Sequence, residues 1–281
     1  MRDSLDRRER ELAAAQVRER RIAAGLFVAT CASVFVVQLV RLAPGDLSTA
    51  FEAGFGALAF TAGLMTILLA HELGHVAGAA GHGIPLSWPW FLPAPFLVGT
   101  FGAVMRLEHP PRDREGLIGM AAAGPVAGFV AACGVFALHV ALGAEAGEDT
   151  LARPLVWRLP ELFGVVVAAP SPAQPLGFAA WLGFLLTGMN LLPIGQLDGG
   201  HLAYGLWPRG ARALGLAAGA VLLALGLWWP LWAAWVFVLY ALGATSAAEV
   251  RSPGRPISRA AVTWAVVAWA CGAVSFMPMP S

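Results

Sequence analysis

The sequence predicts a polytopic α-helical membrane protein. Of its 281 residues, 58% are hydrophobic and only 12% are charged, whereas soluble chains carry about 25% charged residues. Apolar runs long enough to cross a bilayer, which takes about 20 helical residues, recur along the whole chain. These observations favour a bundle of membrane-spanning helices, and the net charge of +1 argues against nucleic-acid binding.

About six to seven runs are predicted to span the membrane: 22–40, 55–82, 117–142, 176–207, 213–229, 231–248 and 260–277. The count varies because Trp228-Trp229-Pro230 either joins two spans or kinks one. The spans divide the chain into an Arg-rich arm (1–21), a first helix with its loop (22–50), a membrane core (51–207) and C-terminal helices (208–281).

Arginine placement predicts the orientation. The 18 basic residues are all Arg, and those of the arm and of every second loop far outnumber those of the alternate loops. Cytoplasmic loops carry the excess of basic residues, so we expect a cytoplasmic N-terminus. The Arg-only, Ala-rich composition indicates a GC-rich bacterial genome, so we expect a bacterial inner membrane. The alternative is a plastid relative, which would be expected to show a transit peptide.

A metal-binding motif, His71-Glu72-Leu73-Gly74-His75, lies inside the second span. Residues four apart share one face of a helix, so His71 and His75 can bind one zinc ion. Glu72 lies at the edge of that face, where a carboxylate can act as a general base without binding the metal. An unpaired carboxylate in a span costs about 2.5 kcal/mol or more, and a dication offsets that cost.

A third ligand must come from elsewhere in the chain. His82 is excluded because seven helical residues separate it from His75, about 10 Å along the axis. Asp198 lies in an apolar run that Pro193 and several glycines interrupt, and interrupted helix at bilayer depth is tolerated where it lines a cavity or is buried. His201 is the rival ligand. Charge mildly favours Asp198, because a buried aspartate needs a cation whereas His201 can be buried as a neutral ring. The alternative is that Asp198 only caps the following helix.

The two motifs together, HELGH at 71–75 and NLLPIGQLDGG at 190–200, resemble the site-2 protease family of intramembrane zinc metalloproteases. Two further elements are family-like, AGPVAG at 123–128 and GTFGAV at 99–104, and the resemblance covers about 55–207. It implies that His71, His75 and Asp198 bind one zinc ion and that Glu72 is the catalytic base. It also implies that Asn190 holds the substrate or polarises its carbonyl.

The segment 83–107 is predicted to be a re-entrant loop that ends in a short strand or hairpin. Its four prolines exclude one straight helix. The edge of that strand is predicted to pair with an unwound substrate by β-augmentation. The alternative is a plain interfacial loop. The predicted substrate-binding residues are Gly99, Thr100, Phe101, Gly102, Ala103 and Val104.

These features predict an intramembrane zinc endopeptidase that cuts a transmembrane segment of its substrate near the cytoplasmic end of that segment. The resemblance implies substrates such as a membrane-tethered regulator or an anti-sigma factor, within the lipid bilayer, and leaves homo-oligomerisation open. One alternative is a zinc-binding membrane transporter, because broken helices with polar residues at the midplane also suit transporters. The other is an inactive, substrate-binding relative.

Overall fold

The structure, a computed structural model, is predominantly helical. It describes residues 2–42, 47–143, 151–241, 243 and 249–277, with the backbone alone for 2–13 and 47–49. The helices are α1 (Arg2–Leu42), α2 (Leu47–Ala80), α3 (Arg114–Ala141), α4 (Pro175–Asn190), α5 (Asp198–Leu206), α6 (Ala211–Leu225), α7 (Pro230–Ala241) and α8 (Arg259–Ser275). A 3-10 helix covers Leu155–Phe163, and the strands are β1 (Trp90–Pro93) and β2 (Thr100–Val104).

Within the described residues, three helices are long and apolar enough to cross a membrane: Ala14–Leu42, Ala50–Ala80 and Arg114–Ala141. They match the first three predicted spans. Helices α6, α7 and α8 are apolar but shorter, so the count of six to seven spans is not confirmed and stays a prediction. The predicted span 231–248 runs into residues outside the described ranges.

The predicted span 176–207 is two helices rather than one. Helix α4 ends at Asn190 and α5 begins at Asp198. The intervening turns contain Pro193, which lacks an N–H for a helical hydrogen bond, and Gly195, which has a φ of 50°. The predicted break at the Pro and Gly residues is therefore present, and it makes Asp198 the first residue of a helix.

The chain forms two compact units, of which the first comprises Met1–Thr61 and Leu86–Arg106. In this unit β1 and β2 form an antiparallel hairpin in which Phe91 pairs with Ala103, so the predicted short β element is present. The hairpin packs on α1, where the ring of Phe91 lies 5.0 Å from that of Phe27. Gly99 has a φ of 92° and lies so close to the backbone of Val34 that a side chain there would overlap it.

The second unit comprises Ala62–Pro85 and Leu107–Ser281, and α3 is at its centre. Helices α4, α5 and α8 all pack on α3. Their shared core contains Ile118, Ala122, Leu202 and Ala265, which are buried. The small residues of α2 also allow close packing on α3, since a Cβ at Gly78 would lie only 2.6 Å from the carbonyl oxygen of Gly119. Gly74 and Gly78 therefore pack against α3.

Helix α3 begins at an aspartate cap. The Asp113 carboxylate accepts a hydrogen bond from the Gly116 N–H at 3.1 Å and pairs with the Arg255 guanidinium at 3.0 Å. The Gly116 hydrogen bond first, and the pairing with Arg255 next, hold the pKa of Asp113 below its ordinary value. A group whose pKa is lower in the folded state contributes stability at a pH above its unfolded pKa, and that contribution is lost as the pH falls through its folded pKa.

Replacing Asp113 with Ala is expected to lower the free energy of unfolding by about 1 kcal/mol near neutral pH. In the wild-type protein the contribution is complete above about pH 4 and decreases under stronger acid. Asp113→Asn, which retains a capping oxygen, should be less destabilised but lose this part of the acid dependence. Thermal unfolding in detergent over the acid range measures both effects. An Asn variant with the wild-type acid dependence would contradict the assignment.

Candidate functional site

Three side chains of the second unit converge from α2 and α5. The Nε2 atoms of His71 and His75 lie 3.1 Å apart. Asp198 faces both rings, with Oδ2 at 3.4 Å from His71 Nε2 and Oδ1 at 3.4 Å from His75 Nε2. Among the residues that the structure describes, these three form the group that could hold a metal ion, with their ligand atoms within 4.8 Å of one another.

The spacing of these atoms fits zinc. Bonds of about 2.0–2.1 Å to the corners of a tetrahedron place neighbouring ligand atoms about 3.3–3.4 Å apart. The observed separations of 3.1, 3.4 and 3.4 Å are close to this value. Two imidazole nitrogens and one carboxylate form a common catalytic zinc donor set and leave the fourth position open. The three residues therefore suit one zinc ion.

The surrounding backbone orients the His75 ring. Its Nδ1 lies 2.9 Å from the Met120 carbonyl oxygen of α3, and donation to that oxygen leaves the Nε2 lone pair for a metal. Such a partner fixes the tautomer and orientation of a histidine ligand. The sequence did not predict this contact, because any residue type can supply a carbonyl oxygen.

Two glycines of α3 make room for the two rings. A Cβ at Gly124 would overlap the His75 imidazole, and a Cβ at Gly128 would lie 3.0 Å from His71 Nδ1. The glycines are four residues apart and so share the face of α3 that contacts α2. The sequence identified AGPVAG at 123–128 as family-like but assigned these glycines no role. Their four-residue spacing, equal to that of the histidines, was the available signal.

The segment before Asp198 fixes the start of α5. Side chains at Gly199 and Gly200 would overlap the carbonyl groups of Leu191 and Gly195, respectively. At the other end of α5, the Arg114 guanidinium of α3 donates a hydrogen bond to the Gly205 carbonyl oxygen at 3.0 Å. Both ends of α5 are thus held, and Asp198 is positioned by backbone contacts that tolerate little displacement.

The remaining predicted site residues lie in different surroundings. Glu72 is 7% exposed and within electrostatic range of His71, His75 and Asp198, although it is not one of the grouped ligands. Asn190 is the half-buried last residue of α4, where the chain turns toward Asp198. Residues 99–104 belong to the hairpin of the first unit, Gly99 in its turn and the others in β2.

The other histidines near the motifs are outside the metal-binding group. His82 follows α2 in a turn, with Nδ1 at 3.0 Å from the Gly78 carbonyl oxygen. His201 lies one turn after Asp198 on α5, and its buried Nδ1 has no hydrogen-bond partner among the described residues. The geometry thus favours Asp198 over His201 as the third ligand.

The two candidate third ligands, Asp198 and His201, can be distinguished by the zinc content of their alanine variants. We expect Asp198→Ala to weaken zinc binding by more than about a hundredfold, because it removes a direct ligand, whereas losing only a supporting contact costs about 10–100-fold. His201→Ala should retain the metal. Zinc bound to purified protein, measured by competition with a chromogenic chelator, checks this difference. If His201→Ala loses zinc and Asp198→Ala keeps it, the ligand assignment is reversed.

Comparison with known proteins connects this geometry to a family. The chain is similar to "Probable zinc metalloprotease EGY2, chloroplastic" of Oryza sativa subsp. indica, with 33% identity over 177 residues, which cover 59% of this chain and 32% of that protein. It is also similar to "Probable zinc metalloprotease EGY1, chloroplastic" of Arabidopsis thaliana, with 32% identity over 181 residues, which cover 60% and 33%.

The length and the location of these relatives differ from what the sequence predicts for this chain. The chain spans about a third of the length of the two relatives. Both are described as chloroplastic, so they do not support the predicted bacterial inner membrane or the predicted orientation of the N-terminus. No solved structure matches the chain.

The family model of Peptidase family M50 matches residues 59–227. The matched range includes the two histidines on α2, the glycine pair on α3 and Asp198 on α5. It therefore covers every residue of the metal-binding group and more than half of the chain. The chain belongs to Peptidase family M50, the site-2 proteases.

Proposed function

We propose that this protein is a zinc endopeptidase that hydrolyses peptide bonds within or near transmembrane segments of membrane proteins. One observation carries the proposal. His71, His75 and Asp198 form a zinc-sized group, and the two histidines belong to Ala50–Ala80, a helix long and apolar enough to cross a membrane. A buried carboxylate, Glu72, accompanies them. Burial of ionisable residues in such a segment costs free energy, so the ones that are present there usually have a function.

Each site residue has a distinct proposed role. His71, His75 and Asp198 hold the metal, and the Met120 carbonyl oxygen keeps His75 in the tautomer that presents Nε2. When bound, zinc supplies a Lewis acid that acidifies water and polarises a carbonyl group. Glu72 accepts a proton from the attacking water and delivers it to the leaving nitrogen of the cleaved peptide bond. Asn190 donates a hydrogen bond from its amide to the substrate backbone.

A substrate helix must unwind before hydrolysis, because its amides are bonded internally. We propose that the unwound segment pairs with the hairpin edge at Gly99–Val104. Within the described residues β2 pairs with β1, which leaves its other edge for an additional strand. Phe101 on β2 is 61% exposed and is available to contact a substrate side chain.

Phe101→Ala is expected to raise the KM for a membrane-anchored reporter several-fold while zinc content stays unchanged. The substitution removes apolar surface from the proposed pairing strand and touches neither ligand nor base. Steady-state cleavage measured at several reporter densities in proteoliposomes separates KM from kcat. A wild-type KM would contradict the substrate-pairing role of this strand.

The proposed setting is a bacterial cytoplasmic membrane, with the N-terminus in the cytoplasm and six to seven spans. Arginine placement supports the orientation, and the shorter apolar helices α6, α7 and α8 are the candidates for the additional spans. The proposed substrate is a transmembrane protein, and the class implied by the family resemblance is a membrane-tethered regulator or an anti-sigma factor. Labelling of single introduced cysteines from each side of intact cells tests the orientation.

The activity is tested with purified protein reconstituted together with a membrane-anchored reporter. We expect cleavage inside or beside the reporter's transmembrane segment. A zinc chelator should abolish cleavage and added zinc should restore it. Mass spectrometry of the fragments locates the cut. Cleavage that persists after complete zinc removal, or zinc-loaded protein that leaves a panel of transmembrane reporters intact, would contradict the proposal.

The same proteoliposomes test the two other functions that the sequence left open. A transporter should show zinc flux across the bilayer, and an inactive relative should bind reporter without cutting it. Zinc transport does not require Glu72 to act as a base. An inactive relative is disfavoured because the two histidines, Glu72 and Asp198 are all present.

A further inference from the structure

A cleft in the second unit has an unusually basic lining. Its volume is about 600 Å³, and its polar residues include His82, His109, Arg112 and Arg251. The other lining residues are Gly83, Ile84, Pro85, Pro110, Pro111 and Ser252, so none of the lining residues is acidic. The proposed proteolytic mechanism uses no residue of this cleft. Two arginines and two histidines that line one cavity, with no acid among the lining residues, favour an anionic ligand.

Backbone hydrogen bonds hold the walls of the cleft together. The N–H of Arg251 donates to the Pro111 carbonyl oxygen at 3.0 Å, and the N–H of Ser252 donates to that of Arg112 at 2.9 Å. The N–H of Glu108 donates to the Pro85 carbonyl oxygen at 3.2 Å. Three separate stretches of chain are thus tied side by side, so the cleft does not require a ligand to form.

Two acids close to the cleft have partners outside its lining. Asp113 pairs with Arg255, and Glu115 accepts a hydrogen bond from Ser258. Among the described residues, neither Arg112 nor Arg251 forms an ion pair, and both side chains are exposed. Arg112 also acts electrostatically on Asp113, but neither guanidinium group is held in an ion pair within the described part of the chain, so both can donate hydrogen bonds to a ligand.

The cleft also lies where apolar helices end. His82 lies two residues after the end of α2 at Ala80, and Arg112 lies two residues before the start of α3, whereas Arg251 belongs to the segment that leads to α8. The apolar stretches Ala50–Ala80 and Arg114–Ala141 are the candidate spans, and the ends of spanning helices lie at the depth of lipid headgroups. With these two stretches spanning a membrane, a basic cavity at their ends lies at the depth of the headgroup phosphodiesters.

We infer that this cleft binds the phosphate headgroup of an anionic phospholipid. Arg112 and Arg251 supply the charge-assisted hydrogen bonds to the phosphate oxygens, as planar guanidinium groups commonly do. Basic pockets between transmembrane helices recognise anionic headgroups by this chemistry. The bound lipid would brace the junction of α2, α3 and the segment before α8 from the membrane side.

The test is a lipid titration of the full-length protein in a neutral detergent. Phosphatidylglycerol is compared with phosphatidylcholine of the same acyl chains, and binding is followed by native mass spectrometry and by the thermal midpoint. The cleft variant is Arg112→Gln with Arg251→Gln. The matched control is Arg209→Gln with Arg259→Gln, which removes the same charge from exposed positions outside the cleft lining. Zinc content verifies that each variant is folded.

We expect saturable binding and stabilisation by phosphatidylglycerol, weakened roughly tenfold or more in the cleft variant and unchanged in the control. Added salt should weaken the interaction, because both guanidinium groups are exposed. Equal binding by both variants would overturn the inference. So would inorganic phosphate that occupies the cleft of the wild-type protein as tightly as the lipid, since the ligand would then be a soluble anion.

Discussion

Replacing Glu72 with Gln is expected to reduce cleavage of a membrane-anchored reporter by roughly 10²–10⁴-fold, the usual contribution of a positioned acid–base group. Gln has nearly the same shape and retains a carbonyl oxygen, but it cannot accept a proton at neutral pH. Glu72 is absent from the metal-binding group, so zinc binding should remain close to that of the wild-type protein. A large loss of kcat with little change in zinc content identifies a base rather than a ligand.

The matched control is Glu52→Gln. Glu52 is an exposed glutamate on the same helix, so its replacement makes the same change in charge and composition away from the ligands. Single-turnover cleavage in proteoliposomes, with zinc measured on the same samples, should show a loss for Glu72→Gln alone. Full activity in Glu72→Gln would exclude this residue as the base and remove the main argument for hydrolysis over transport.

The sequence predicted the long elements better than the short ones. Helices α2 and α3 correspond to long, predominantly apolar runs, and a helix suits such a run in lipid because it satisfies its backbone hydrogen bonds internally. The prolines at 85–95 indicated a non-helical segment, and a hairpin lies there. Helices α6 and α7 were less predictable, because composition shows that a segment is apolar but does not show where its helix ends. The break near Trp228 left the same ambiguity.

At the metal site, the residue types were enough to predict which side chains would group together, but not which contacts would support them. The four-residue spacing of His71 and His75 indicated a shared face, and Asp198 was a rare acid in apolar sequence. The structure brings these three together. Their supports were not predictable, because the Met120 contact involves only backbone on the α3 side. The glycine contacts depend on how α2 and α3 are rotated against each other, which a single sequence does not specify.

Gly124→Ala is expected to have the second large effect, since its Cβ would overlap the His75 imidazole. Either α3 moves away or the ring leaves its position. Overpacking of this kind costs about 1–3 kcal/mol of stability. Displacement of a ligand ring should weaken zinc binding by at least about 10–100-fold, the loss seen when only a supporting contact is removed. Cleavage should fall in proportion to the zinc lost.

Two further glycines on the same helix provide an intermediate case and a control for this effect. A Cβ at Gly128 would lie 3.0 Å from His71 Nδ1, whereas one at Gly134 would meet nothing within 4 Å. Gly128→Ala should therefore fall between Gly124→Ala and the wild-type protein in zinc affinity. Gly134→Ala should leave zinc binding unchanged and raise helix stability by up to about 1 kcal/mol. Chelator competition and thermal unfolding measure the two quantities separately. Equal zinc affinity in all three variants would show that α3 does not hold the histidines in place, and the positioning role of these glycines would then be rejected.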